Sequence, residues 1–434
     1  EYGDTALDFP LFEGSPVDSF NSMVLRPGGH DGFAVDWNAT DGNRYPLFDE
    51  NGNPVMRGRN DLTQSASYTR DEFLRRSETE MGLLSPRGRF VNLYINGRCW
   101  GIYNMHERAD EDFFASHEGG DPEDWDVVGQ NGGIEAGDGS AWDSLMERSE
   151  SGVNSSEDND EIEEYLDLDR FIDALIVRIW SGDHDWLEPL FINRAGNNQE
   201  IRNFGAPNNR NWFAGRRSRG GATGEPFHFF TWDAEISMGN DRFLGSGNRN
   251  LDYTFAWIDV PNSPAAPYAA LADDAEFRLR FADRLQKHLR GSGVLSPQRS
   301  RARLDLIAGE IYSAVAAESA RWGNIHGGEP VTRDVEWASE VDCLRDRFLA
   351  ERSEIVLDGA VSLRFAEDAF PELEFSSAPL LTELMRSGVV AENPVTYQRA
   401  GGQTAYEGAA LRLRFEVEEG QGYRLQILMG EWEG

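Results

Sequence analysis

The dipeptide Asn96-Gly97 joins two short runs of strand-forming residues, 90–95 and 99–103. Asn and Gly tolerate positive φ at both central positions of a type I′ turn, which is the turn that suits a two-residue hairpin loop. The sequence therefore predicts an antiparallel β-hairpin at this place. Any fold proposed for the chain has to include this hairpin as part of a sheet.

Apolar residues recur every three or four positions in several other segments, which is typical of amphipathic helices. Helices are predicted over 71–81, with Gly82 as the stop signal, and over 169–180. The same period continues after residue 272, at Phe277, Phe281, Leu285 and Leu289, at Leu304, Ile307, Ile311 and Val315, and at Val341, Leu344 and Phe348. The predicted fold class is α+β with a mostly helical C-terminal half.

The remaining segments are predicted to be less regular. Residues 1–65 are expected to form short strands and loops, and residues 116–160 and 187–226 are expected to be polar loops. Between the two central helical parts, the apolar run 227–232 predicts a strand that ends on Asp233.

The last part of the chain changes character again. Apolar and polar residues alternate over 411–417 and 423–427, which predicts a hairpin in a small β appendage. We therefore expect a main domain over 1–360, with its N-terminal strands incomplete, and a β-rich, truncated tail over 361–434.

The charge balance restricts the partners of the chain. Its 76 acidic and 41 basic residues give a net charge of −35, and Lys287 is the only lysine. This charge argues against nucleic acids and anionic membranes as partners. An acid-rich, lysine-poor surface suits high salt, where screening weakens self-repulsion; a codon bias toward arginine is the alternative explanation. No apolar run is long enough for a membrane span, and the residues after Glu1 do not show the apolar stretch expected of a signal peptide.

The order of the predicted elements suggests a chemistry. A helix precedes a hairpin, a second helix leads into a loop with Asp185, and a strand then ends on Asp233. Phosphoryl transfer of the protein-kinase type uses this order, with one carboxylate near the acceptor hydroxyl and another that holds Mg²⁺ on the phosphates. Asp183 is an alternative to Asp185. If Asp185 is the acting residue, replacement of Asp183 is expected to be mild. His184 has no second histidine at ligand spacing and is not assigned to a metal site.

Several motifs, in order, resemble those of the CotH kinase family, relatives of the spore-coat protein H kinases, which are atypical protein kinases of bacteria. The resemblance covers about residues 1 to 360. The motifs are Leu25-Arg26-Pro27-Gly28-Gly29, Tyr68-Thr69-Arg70-Asp71, Gly97-Arg98-Cys99-Trp100-Gly101-Ile102-Tyr103, Glu107-Arg108-Ala109-Asp110, Asp185-Trp186, Asn211-Trp212-Phe213-Ala214-Gly215-Arg216, Phe229-Phe230-Thr231-Trp232-Asp233-Ala234-Glu235 and Glu318-Ser319-Ala320-Arg321-Trp322-Gly323.

The resemblance implies a divergent, two-lobed protein-kinase-like fold that uses ATP and Mg²⁺ and acts on Ser or Thr hydroxyls of a protein. By this analogy Asp185 orients the acceptor hydroxyl, and Asn211 and Asp233 bind Mg²⁺. Arg26 is implied to face the phosphates, whereas Met105 and Glu107 are implied to lie near the hinge and the adenine. An extracytoplasmic or cell-surface location is compatible with the resemblance, although the sequence itself records no location.

Two departures from the family pattern support another function. Residues 187–210 separate Asp185 from Asn211, whereas the corresponding motifs lie close together in the family, and Asn193 is an alternative to Asn211. No lysine is available for the phosphates, since Lys287 lies in a predicted helix far downstream. The alternative is therefore a pseudokinase-like surface or protein-binding module without catalysis. A Ca²⁺-binding adhesion module is a weaker alternative, because no segment fits a Ca²⁺-loop pattern.

Overall fold

A computed structural model describes the greater part of residues 6–362. The described residues are 6–33, 47–48, 54–55, 66–152, 156–183, 186–188, 191–192, 201–202, 208–218, 224–239, 260–272, 274–325 and 330–362. The predicted hairpin of the β appendage, 411–427, lies outside the described residues.

The strands are short apart from one long hairpin. In chain order they are β1 (Leu7–Asp8), β2 (Ser19–Phe20), β3 (Met23–Arg26), β4 (Leu47–Phe48), β5 (Pro54–Val55), β6 (Gly88–Ile95), β7 (Arg98–Glu107), β8 (Trp125–Val128), β9 (Ile134–Ala136), β10 (Leu187–Glu188), β11 (Phe191–Ile192), β12 (Ile201–Arg202), β13 (Asn208–Asn209), β14 (Trp212–Arg217) and β15 (His228–Thr231).

Helices dominate the second half of the described chain. They are α1 (Arg70–Met81), α2 (Glu111–Glu118), α3 (Ser140–Ser151), α4 (Ser156–Glu163), α5 (Leu168–Ser181), α6 (Ala265–Leu271), α7 (Ala275–Leu289), α8 (Pro297–Trp322), α9 (Ala338–Cys343) and α10 (Leu349–Ser362). Short 3₁₀ turns occur at Pro122–Asp124 and Gln130–Gly132, and π-helical turns at Arg333–Trp337 and Leu344–Phe348. The fold is therefore α+β, as predicted. Among the helices described, none combines the length and apolar character that crossing a membrane requires.

The predicted hairpin is the centre of a three-stranded antiparallel sheet with the order β3-β7-β6. Asn96 and Gly97 adopt φ of 51° and 75°, which confirms the expected turn with positive φ at both positions. On the other side of β7, Arg26 pairs with Asn104. The last residue of β3 is thereby placed beside the centre of a long strand.

A second antiparallel sheet has the order β15-β14-β8-β9. Trp212 at the start of β14 pairs with Thr231 at the end of β15. The residues just outside this pair, Asn211 and Trp232, are also joined, because the Trp232 N–H donates to the Asn211 carbonyl at 3.1 Å. One edge of this sheet therefore holds both Asn211 and the chain that leads into Asp233.

Helix α5 lies at the centre of the core, and all but two of its residues are buried. Its Trp180 stacks on Phe73 of α1 with ring centroids 5.9 Å apart and meets Phe348 edge-on at 5.8 Å. A helix that is apolar on most sides is expected where other elements surround it. Gly182, at φ 61°, then ends α5 in the left-handed conformation.

The helical predictions are confirmed. The loop prediction for 116–160 is wrong, and that for 187–226 is wrong where the structure describes this segment. Residues 116–160 contain β8, β9, α3 and most of α4, and β14 lies within residues 187–226. Helix α3 was missed because its apolar residues are few. Trp142, Leu145 and Met146 are buried, but most of its other positions are polar. Strand β8 is only four residues long, so it has too few positions to display a period.

Candidate functional site

Arg26 and Asp233 meet although 207 positions separate them in the chain. The Arg26 guanidinium forms an ion pair with the Asp233 carboxylate, and its Nη2 also lies 3.0 Å from Oε1 of Glu235. The three side chains are partly to almost wholly buried, at 16%, 26% and 4% exposure. The phosphate-facing cation and the metal-binding carboxylate of the sequence analysis are thus brought together, and Glu235 joins them.

The backbone around Asp233 holds its carboxylate in a defined place. Asp233 has φ of 51°, a left-handed conformation that Asp and Asn tolerate better than most residues. The next N–H, that of Ala234, donates to Oδ1 of Asp71 in the first turn of α1 at 3.0 Å. Since Trp232 is bonded to Asn211, the turn is fixed on both sides of Asp233.

The segment from Arg26 to Asp31 runs past the second carboxylate, that of Glu235. The backbone N–H of His30 donates to Oε2 of Glu235. One ligand atom from each of His30, Asp233 and Glu235 lies within 4.8 Å of the others. Two carboxylates and an imidazole at such distances form a donor set that can hold a divalent cation.

The electrostatics of this cluster show an excess of negative charge. The pKa of Glu235 is raised to about 7, chiefly by burial and also by the neighbouring Asp233 and Asp71, while Arg26 acts in the opposite direction. Burial also raises the pKa of Asp233, helped by Asp71 and opposed by Arg26. Burial disfavours the charged form of Asp71, but Arg75 and Arg26 outweigh it and lower the pKa of Asp71 well below its usual range. A cation near Asp233 and Glu235 would relieve this imbalance.

The backbone carbonyl of Asn211 is part of a second, buried network behind Asp233. Arg178 of α5 forms an ion pair with Asp183 and donates to the carbonyls of Asn211 and Trp232. The guanidinium of Arg178 also lies 5.3 Å from the ring centroid of Trp186. The side chain of Asp183 is completely buried in this ion pair, so its replacement is not expected to be mild, in contrast to the expectation from the sequence. Asp185 and His184 lie outside the described residues, as does Asn193.

Met105 and Glu107 lie on the opposite face of β7 from the Arg26 cluster, because successive side chains of a strand alternate between faces. Arg26 is paired with Asn104, whereas Met105 packs against an apolar cluster of the N-terminal segment. Glu107 is engaged with Nε2 of His117 at 2.8 Å and with the backbone N–H of Arg87 at 2.8 Å. The structure does not bring these two side chains to Arg26 and Asp233.

His30, Asp71 and Glu235 were not assigned to the site from the sequence. Glu235 had a usable signal, since it follows Asp233 at a spacing of two in a family motif. Asp71 also lies in such a motif, but a charged residue in the first turn of a helix is ordinary. His30 follows Pro27-Gly28-Gly29, and only the backbone path shows that this turn passes Glu235.

A narrow cavity adjoins the cluster, between α1 and the three-stranded sheet. It is lined by Arg26, Gly28, Tyr68, Asp71 and Asn104, among others, and has room for about one or two water molecules. A group larger than a few atoms that contacts Arg26 therefore has to approach from outside this cavity or displace part of its lining.

The comparisons with known proteins agree with the motifs. The family model described as CotH kinase protein matches residues 59–356, which is most of the chain. A search of curated proteins found no significant match.

Proposed function

The chain belongs to the CotH kinase protein family, and from this premise we propose that it is an atypical protein kinase. It would transfer the γ-phosphoryl group of ATP to a Ser or Thr hydroxyl of a protein substrate. The observation that supports this most directly is the ion pair between Arg26 and Asp233. Arg26 and Asp233 come from two different family motifs, which imply a phosphate-facing and a metal-binding role, and their side chains are in contact.

The described residues suit Mg²⁺, which prefers oxygen ligands. Asp233 and Glu235 offer carboxylates, and Asn211 lies at the same sheet edge. When bound, Mg²⁺ neutralises charge on the ATP phosphates. Arg26 would add a positive charge beside them, and Asp185 would accept the proton of the substrate hydroxyl. Met105 and Glu107 would lie near the adenine with the backbone atoms of β7, since their side chains lie on the other face of the strand from Arg26.

The proposal includes a divergent two-lobed fold. The sheet β3-β7-β6 with α1 would form the smaller lobe, and the sheet β15-β14-β8-β9 with the helices from α3 onward would form the larger one. Asp233 lies where these parts meet, since its neighbour Ala234 is bonded to Asp71 of α1. We further propose that the kinase-like domain spans 1–360 and that 361–434 is a separate β-rich unit.

The second candidate is a pseudokinase-like binding module. It is favoured by the contacts of Arg26, whose guanidinium is taken up by Asp233 and Glu235, and by the position of the only lysine, Lys287, in α7. If Arg26 cannot leave these carboxylates, the chain has no basic residue from β3 for the phosphates.

Transfer of labelled phosphate from ATP to the protein itself or to a Ser-rich peptide tests the proposal. Asp233→Asn, which keeps the shape of the side chain, should weaken Mg²⁺-dependent ATP binding and abolish transfer. Asp185→Ala should leave ATP binding nearly intact and lower turnover by on the order of a hundredfold or more, the usual effect of losing a general base.

Asp334→Asn is the matched control for Asp233→Asn, because it removes the same charge from an exposed side chain far along the sequence. It should change neither binding nor transfer. A full-length chain that binds Mg²⁺-ATP but phosphorylates no acceptor would support the pseudokinase-like module. A chain that binds no Mg²⁺-ATP would contradict the kinase proposal and leave the binding module, which does not require the nucleotide.

A further inference from the structure

A single nitrogen of Arg26 lies between the two carboxylates of the site. Nη2 forms the contacts with both Asp233 Oδ1 and Glu235 Oε1. A point of positive charge between two carboxylates marks the position that a bound cation would also take. Arg26 and a divalent cation therefore compete for the same carboxylate oxygens.

His30 adds a nitrogen donor to these oxygens. Its ligand atom lies within the same 4.8 Å set as those of Asp233 and Glu235. The segment that carries it is held from both sides. The His30 N–H is bonded to Glu235, and the next residue, Asp31, has a buried carboxylate that accepts from Ser67 N at 2.7 Å and pairs with Arg70.

These two anchors hold the His30 segment in place before a metal binds, which reduces the entropy lost when the imidazole is ordered on binding. Gly28 permits the required path, since its φ of 75° is strained for residues with a side chain. The imidazole is thus presented to the carboxylates by the backbone turn and its two anchors.

We propose that His30, Asp233 and Glu235 form a divalent-cation site that favours Mn²⁺ over Mg²⁺, and that Arg26 occupies it until the cation replaces it. Mg²⁺ selects oxygen ligands almost exclusively, whereas later divalent metals also accept imidazole. The nitrogen ligand therefore raises the affinity for Mn²⁺ more than that for Mg²⁺. The use of this cation in catalysis rests on the proposed function, but its binding does not.

The release of Arg26 follows from the same geometry. Once a cation holds Asp233 and Glu235, the Arg26 guanidinium is repelled from the site and becomes available to an anionic group such as a phosphate. Loss of Arg26 should therefore have opposite effects on two ligands, with tighter Mn²⁺ binding and weaker ATP binding.

Electron paramagnetic resonance of Mn²⁺ added to the nucleotide-free, full-length protein tests the ligand set. Spin-echo modulation from a directly bound ¹⁴N is expected in the unaltered protein and in Arg26→Gln, and it should be lost in His30→Ala and His30→Gln. Calorimetry with Mn²⁺ and Mg²⁺ should show a Mn²⁺ affinity lowered by roughly tenfold or more in the His30 variants. The Mg²⁺ affinity should change much less, and Arg26→Gln should bind Mn²⁺ more tightly.

Glu354→Gln is the matched control, because it removes one carboxylate from an exposed ion pair with Arg290; thermal melting identifies any variant that fails to fold. Bound Mn²⁺ without ¹⁴N modulation, no Mn²⁺ binding at all, or weaker Mn²⁺ binding in Arg26→Gln would each overturn the inference. If ¹⁴N modulation is seen and no phosphate is transferred, the proposed function fails and the cation site stands. If phosphate is transferred but no ¹⁴N modulation is seen, the proposed function stands and the inferred cation site fails.

Discussion

The carboxylate of Asp71 accepts a hydrogen bond from the backbone N–H of Ala234 at 3.0 Å, which ties the first turn of α1 to the residue that follows Asp233. The same carboxylate lies 3.2 Å from Arg75, one turn further along α1. A movement of α1 would therefore move Asp233 relative to Arg26. Asp71 acts on the site through the backbone, as a positioning residue.

Asp71→Ala should weaken Mg²⁺-dependent ATP binding, because the turn at Asp233 loses the acceptor that holds it. Asp71→Asn keeps an oxygen acceptor in the same place and should retain most of the affinity. A hydrogen bond to a charged group contributes about 1.5–3 kcal/mol, so the alanine variant should also unfold at lower temperature. Calorimetry with Mg²⁺-ATP and thermal melting measure the two effects.

The asparagine variant separates position from charge. If Asp71→Asn loses as much affinity as Asp71→Ala, the negative charge of Asp71 matters rather than its hydrogen bond to Ala234. Equal affinity in all three proteins would show that the turn at Asp233 does not depend on α1.

The elements predicted with success are those whose signals are local. The hairpin needed only Asn96-Gly97 and its flanking runs, and α1 needed an apolar period and the stop at Gly82. Both predictions are confirmed because, in each segment of about a dozen residues, the backbone preferences and the pattern of buried residues favour the same element. Strand β14 was missed because its six residues include Gly and two Arg, a composition that is also typical of loops.

Two residues of the site could be predicted from the sequence. Asp233 was proposed from the order of the predicted elements and Arg26 from a family motif, but nothing local indicates that they touch across 207 positions. Glu235 and Asp71 are two of 76 acidic residues, and only long-range packing distinguishes them from the others. The turn at Asp233 also depends on Arg178, which donates hydrogen bonds to the carbonyls of Asn211, 33 positions further along the chain, and Trp232, 54 positions further along.

Glu78 gives the fold a measurable pH dependence. Its side chain is buried in α1 and accepts hydrogen bonds from the Thr231 N–H and from Ser85. Burial raises the pKa of Glu78 to about 7, from an ordinary value of about 4.5, although these hydrogen bonds and Arg178 oppose the shift. Between these pH values the folded state binds more protons than the unfolded state. The contribution of Glu78 to stability is therefore full below pH 4.5 and is lost as the pH rises through 7.

Urea unfolding of the unaltered protein and of Glu78→Gln at pH 5.5 and pH 8 checks this dependence. The free energy of unfolding of the unaltered protein should fall, relative to the glutamine variant, by at most about 1.4 kcal/mol per pH unit. His106 works in the opposite direction, because burial lowers its pKa to about 3. Both proteins contain His106, so its effect cancels in the difference. Glu354→Gln, an exposed substitution that leaves Glu78 in place, should show the same pH dependence as the unaltered protein. If the free-energy difference between the unaltered protein and Glu354→Gln fell with pH as it does for Glu78→Gln, the assignment to Glu78 would be refuted.

Asp183→Ala should destabilise the protein strongly, in contrast to what the sequence alone suggested. The change leaves the guanidinium of Arg178 buried without its carboxylate partner, and breaking a buried ion pair in this way costs about 3–5 kcal/mol. Asp183→Asn should be milder, since its amide oxygen still accepts a hydrogen bond. Chemical denaturation measures both, with Asp334→Ala as the exposed control. Stability near that of the unaltered protein in Asp183→Ala would argue against this buried pair.

The melting temperature should rise in KCl between about 0.1 and 2 M at pH 7.5. With 76 acidic and 41 basic residues, repulsion among carboxylates is expected to exceed the attraction of exposed ion pairs, which contribute only about 0–1 kcal/mol each. Salt shortens the screening length from about 10 Å at 0.1 M to about 3 Å at 1 M, so it weakens the net repulsion more than it weakens buried pairs such as Arg70 with Asp31. The same scan near pH 4.5, the isoelectric point of the sequence, is the control. There the net charge is close to zero, so the rise of the melting temperature with KCl should largely vanish. An equal rise at both pH values would mean that charge screening is not its cause.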